Sequence, residues 1–154
     1  MSGSIIIQPF ARKLRDGERN AKDYPWWAEL LPAVSWMTPC DIIQIGVSGE
    51  QQLVPDFRID LSYSALQQLI RDCDTFICGD SFLQHLGWSL GKQGIVLWGK
   101  SDPLIFGHPE NINLLADRAN LRSDQFGIWE GVSYSPEVFV SSQRVLEALC
   151  TLKL

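Results

Sequence analysis

The feature that most constrains the fold of this chain is a repeated alternation. Short apolar runs rich in β-branched residues are separated by stretches with helical spacing. The runs are SIIIQP (4–9), DIIQIGV (41–47), FRIDL (57–61), DTFICG (74–79) and GIVLWG (94–99), with NINLLA (111–116) as a sixth. Such runs without polar alternation predict strands covered on both faces. Between them, YPWWAELLPAV (24–34) predicts a helix opened by Pro25, and SYSALQQLIRDC (62–73) one capped by Ser62. A third helix starts at Asp80 or Ser81 and ends near Gly91, and a last one starts at Ser135-Pro136-Glu137 and runs through Leu149. Residues 117–131 have no period and read as loop. The alternation predicts an α/β fold: one doubly wound, Rossmann-like domain over residues 1–154, with a parallel sheet of five or six strands. In such a sheet a ligand lies beyond the carboxyl ends of the strands, at the switch point beside the first strand. The loops after Pro9, Gly46 and Gly79 would converge there.

Composition narrows the partners. The net charge of −5 argues against a nucleic-acid backbone. No apolar run approaches the roughly 20 residues that span a bilayer, and MSGSIIIQPF lacks the basic region of a signal peptide. Cys40, Cys73, Cys78 and Cys150 show neither a C-x-x-C pair nor zinc spacing, so they read as reduced thiols of a cytoplasmic protein. No carboxylate cluster has ligand spacing, so no metal is expected.

The candidate chemistry centres on Gly79-Asp80-Ser81-Phe82. A strand feeding a helix exposes free N–H groups, and with the helix dipole these favour a phosphate. The plainer alternative is that Asp80 or Ser81 simply caps the helix. His85, four residues after Ser81, falls on the same helical face and could donate to a phosphate or sugar oxygen; the alternative is a histidine packed under the next strand. Lys22 and Arg12 are point-charge or fork partners for phosphate, against the alternative of solvated surface side chains. Lys22 is expected to be exposed. Gly99-Lys100-Ser101 does not make a phosphate loop, because apolar residues 95–98 precede it and Asp102-Pro103 is expected to prevent a following helix.

Taken in order, these residues resemble the C-terminal, nucleotide-sugar-binding half of the ADP-heptose:lipopolysaccharide heptosyltransferase family, glycosyltransferase family nine, whose fold is the two-domain GT-B type. IIIQPFA resembles the first strand of that half. Lys22-Asp23-Tyr24-Pro25 resembles the family's Lys-x-Trp-Pro, and DIIQIGVSGEQQ resembles its strand ending in a Gly-Gly or Gly-x-x-x-Glu turn. Residues 62–103 resemble its longest signature, with Asp80, Ser81, His85, Gly91, Gly99 and Pro103 matching. Phe82 stands where the family has glycine, and Gln8-Pro9-Phe10 where it has His-Pro-Gly.

The resemblance implies a nucleotide sugar or nucleotide diphosphate as ligand and no other cofactor. Lys22 and the N–H groups at Ser81 and Phe82 would hold the diphosphate, Asp80 a sugar hydroxyl, and His85 would support from the helix. Gly46 and the loop after it, with Asp60 and Leu61, would border the base, and Arg12 would add charge. It also implies that the general base and the acceptor site belong to the other half. The chain alone is therefore not expected to transfer a sugar, and it reads as one subunit of a split glycosyltransferase. The rival reading is a non-catalytic interaction domain that kept the fold and lost the donor, with a partner subunit or a second copy covering the exposed interdomain face. The six tryptophans support that rival, since they cannot all be deep core.

Overall fold

The computed structural model describes residues 2–154. Its six strands are β1 (Ser4–Gln8), β2 (Asp41–Gly46), β3 (Asp56–Ile59), β4 (Thr75–Gly79), β5 (Ile95–Trp98) and β6 (Ile112–Leu115). Every pairing is parallel, in the order β3-β2-β1-β4-β5-β6. The order reverses at β1, so the chain leaves β1 toward one side of the sheet and β4 toward the other. A crevice opens between those two connections.

The strand pleat sorts the core into two layers. Ile5, Ile7, Ile77, Ile95 and Leu97 face α1 (Trp27–Met37) and α5 (Ser142–Cys150), where Trp27, Leu30, Val34, Val145 and Leu149 are buried. Ile6, Phe76, Cys78, Val96 and Trp98 face the opposite way, against Ile70 of α2 (Tyr63–Asp72) and Leu83 and Leu86 of α3 (Phe82–Ser89). Ile5, Ile6 and Ile7 are all fully buried, so no strand polar face is needed and the run carries none. Each such side chain contributes roughly 1.5–3 kcal/mol by leaving water.

Several element boundaries differ from the sequence reading. α1 begins at Trp27 rather than Pro25, and it tolerates Pro32 inside. The last helix does not begin at Ser135. Pro136–Val138 forms one 3₁₀ turn, and α5 starts after Ser141, whose Oγ accepts from the Arg144 N–H. A one-turn helix, α4 (Pro103–Phe106), does follow Gly99-Lys100-Ser101. Asp102 caps it by accepting from the Leu104 N–H, and proline suits the first helical position, so the Asp-Pro pair starts a helix where it was expected to prevent one.

Candidate functional site

The turn after β4 and the loop after β1 meet at the switch point. Gly79 lets them touch: a Cβ there would lie 3.0 Å from the backbone oxygen of Lys22. With that approach allowed, the Lys22 ammonium reaches the Asp80 carboxylate at 3.0 Å. Lys22 is half-buried rather than exposed, contrary to the sequence expectation, because the ion pair and the Trp129 ring, 5.0 Å from its Nζ, cover it.

Neither Asp80 nor Ser81 caps α3 with its side chain. Asp80 is buried and fully engaged: it accepts from Lys22 on one oxygen and from Gln84 Nε2, at 3.0 Å, on the other. The Ser81 hydroxyl donates to Gln8 Oε1 at 2.8 Å, and the same oxygen accepts from the Leu83 N–H at 3.3 Å. The N–H groups of Ser81 and Phe82 make no hydrogen bond among the described residues. They remain the free donors of the helix start.

Lys22, Asp80, Ser81, Phe82 and His85 line one cleft of about 450 Å³. Its far wall is Phe106, Gln125, Phe126, Gly127 and Trp129. Apart from Phe106, which ends α4, this wall comes from the stretch with no sequence period. Arg122 ties the stretch together by donating to the carbonyls of Gly127 and Ile128 and by stacking 3.7 Å from the Trp129 centroid. The available signal was the pair of aromatics, Phe126 and Trp129, close together in a loop. Phe82 stands half-exposed at the rim with its ring 6.3 Å from that of Tyr63.

His85 is exposed, not packed in apolar core. Its Nδ1 lies 2.8 Å from Nε2 of His108, the chain's other histidine, which stacks on Trp88 at 4.2 Å. Burial, then His108, then Lys22 push the His85 imidazole below its ordinary range, partly offset by Asp80. The Cys78 thiol beneath the turn is pushed up to about 12 by burial, so it is no nucleophile.

Two proposed site residues stand apart from this cleft. Arg12 is exposed and does not line it; its backbone oxygen accepts from Asn20 Nδ2, and its charge is felt by Glu130 instead. Gly46, at the end of β2, lies one strand beyond β1 and packs on Glu50 and Phe57. Asp60 secures that loop from a left-handed backbone position (φ 51°), accepting from the Ser48 N–H at 3.2 Å. Leu61 packs into the α2–α3 side of the core.

Glu50, noted in sequence only as part of a turn, is the most unusual group here. One of its carboxylate oxygens is buried without a hydrogen-bond partner, and burial followed by Asp60 raises its proton affinity. Nearby Asp23 is buried too and its carboxyl is raised to about 6, by burial first and by Glu50 in part. Among the described residues no group of three or more metal-ligating side chains occurs. No helix among them is long and apolar enough to cross a membrane.

A doubly wound, six-stranded parallel sheet with a cleft at its switch point defines a Rossmann-like class of α/β domain. The comparisons specify it further. A family model described as glycosyltransferase family 9 (heptosyltransferase) matches residues 57–125. The fold matches E. coli ADP-heptose LPS heptosyltransferase II with a TM-score of 0.69 at 19% identity, over 98% of this chain and 46% of that one. It matches a glycosyltransferase family 9 protein from Veillonella parvula with a TM-score of 0.71 at 16% identity, over 97% and 46%. E. coli heptosyltransferase WaaC, solved with ADP, gives 0.65 at 13% identity, over 98% and 45%. No curated protein matches. The chain spans less than half the length of these solved structures and has the fold of one half of a GT-B glycosyltransferase. It is related to glycosyltransferase family 9, as its motifs suggested.

Proposed function

We propose that this domain binds a nucleotide sugar or nucleotide diphosphate in the Lys22–Asp80 cleft, as the donor-side half of a glycosyltransferase. The observation that carries the reading is the meeting of Lys22 with the free N–H groups of Ser81 and Phe82 at the switch point. A cation opposite a helix start favours a diphosphate over a neutral ligand. Asp80 would exchange its bond to Lys22 for a sugar hydroxyl as phosphate takes the ammonium. His85, neutral near pH 7, would donate or accept at the sugar side. The family match contains Asp80, Ser81, Phe82 and His85, and one solved relative was captured with ADP. Transfer is proposed to need a second half that carries the base, supplied by a partner subunit, in a cytoplasmic, reduced setting.

A thermal-shift and calorimetric panel of ADP, UDP, GDP and their sugars tests the reading, because a ligand selective for the folded state raises its melting temperature. Saturable binding by one base class, lost in Lys22→Ala, is expected. No binding by any, or binding untouched by Lys22→Ala, refutes it. A second reading, an interaction domain, draws on one observation. Leu104, Phe126 and Ile128, beside the cleft, are 80%, 80% and 76% exposed, which suits burial against a partner protein or a second copy.

A further inference from the structure

Beside the free N–H groups of Ser81 and Phe82, other donors at the start of α3 are already taken from within the chain. Gln8 is the last residue of β1 and pairs in register with Cys78, directly beneath the turn that starts α3. Its carboxamide oxygen accepts the Ser81 hydroxyl at 2.8 Å and the Leu83 N–H at 3.3 Å, while its Nε2 makes no hydrogen bond among the described residues. The Lys22 ammonium is held by Asp80 in the same way. Two donors at the start of α3, one of them on the cleft-lining Ser81, are therefore taken by one neutral side-chain oxygen. The residue that supplies it is held at the end of β1 by its pairing with β4.

We propose that Gln8 is an internal stand-in for a phosphate oxygen, which keeps the start of α3 satisfied and must swing out before a diphosphate can dock fully. This regulation rests on the reading of the cleft as a diphosphate site. A charged oxygen makes hydrogen bonds roughly twice as strong as a neutral one, so the exchange favours a diphosphate over a weaker anion. The displaced side chain is half-buried and ends against Ser81, which lines the cleft, so moving it does not unpack the core. Gln8 thus sets a threshold. Weakly charged anions leave the plug in place, and a diphosphate, presenting several charged oxygens, displaces it. The cost of that displacement is charged against affinity, so the wild-type domain binds less tightly than its donor set permits.

The experiment measures ADP and inorganic pyrophosphate binding to the whole chain by calorimetry, for wild type, Gln8→Ala and Gln8→Glu, with melting temperature read on each. Gln8→Ala removes the competitor and is expected to bind pyrophosphate and ADP about tenfold more tightly, a change of about 1.4 kcal/mol. Gln8→Glu keeps both hydrogen bonds with a full negative charge, and is expected to bind at least tenfold more weakly, on the order of 1.4 kcal/mol. Unchanged or weaker binding by folded Gln8→Ala, with wild type binding in a Lys22-dependent way, overturns the plug and leaves the diphosphate reading standing. Silence from wild type together with binding by Gln8→Ala supports the plug. Silence from both overturns the plug and the diphosphate reading together. Should Gln8→Ala melt too low to assay, Gln8→Glu decides: affinity equal to or above wild type overturns the proposal.

Discussion

The Lys22 ammonium lies 3.0 Å from the Asp80 carboxylate, joining the loop after β1 to the turn after β4 across the switch point. The contact links the fold to the cleft. The same lysine that would grip a phosphate also neutralises a buried acid. Lys22→Ala should therefore weaken diphosphate binding and also lower stability. Asp80 would keep only Gln84, and stranding a mostly buried carboxylate costs about 1–3 kcal/mol after allowing for partial exposure of the lysine. Urea unfolding of the variant checks this; unchanged stability would show the ion pair to be energetically idle.

Gly79→Ala should act on the same contact from behind. A Cβ 3.0 Å from the Lys22 backbone oxygen pushes the β1 loop outward. A loss of about 1–3 kcal/mol is expected from overpacking, with diphosphate affinity falling alongside. Stability loss with affinity intact would mean the loop yields without moving the ammonium.

Asp23 gives a pH signature. Its carboxyl is raised from 3.8 to about 6, burial being the main cause. The folded state therefore holds the proton more tightly than the unfolded chain. The stability this contributes is complete below pH 3.8 and is lost as pH rises through about 6. Asn at position 23 still accepts from the Ala11 N–H, which donates to the native carboxylate at 2.7 Å. Asp23→Asn should match wild type at pH 4 and exceed it at pH 8, by up to about 3 kcal/mol for two pKa units. Parallel stability-against-pH curves for the two proteins would refute the assignment.

His108 should tune His85. Removing it with His108→Ala deletes one of the two largest influences that hold the His85 imidazole below its usual 6.5. The His85 ring should then titrate closer to that value, as followed by its NMR resonances. No movement, or a further fall, would mean the 2.8 Å contact is electrostatically unimportant.

The sequence by itself determined the layers, five of the six strands and the switch point at which the cleft opens. Those depend on local pattern: three isoleucines in a row need cover on both sides, and a β-strand ending in Gly79-Asp80-Ser81 must turn into a helix. Wrong boundaries came from competing local signals, as where Ser135-Pro136 starts only one 3₁₀ turn and Ser141 caps the helix. The tertiary structure alone decided which partner each polar group takes. Asp80 and Ser81 both carry the chemistry of a helix cap, yet Asp80 turns to Lys22, 58 positions back in the chain by residue number, and Ser81 to Gln8. His85 meets His108, and an unpatterned loop folds back to supply Trp129. No local period encodes such meetings, because they arise where parallel strands return distant loops to one edge of the sheet, and a hydrogen bond goes to whichever partner that return brings within reach.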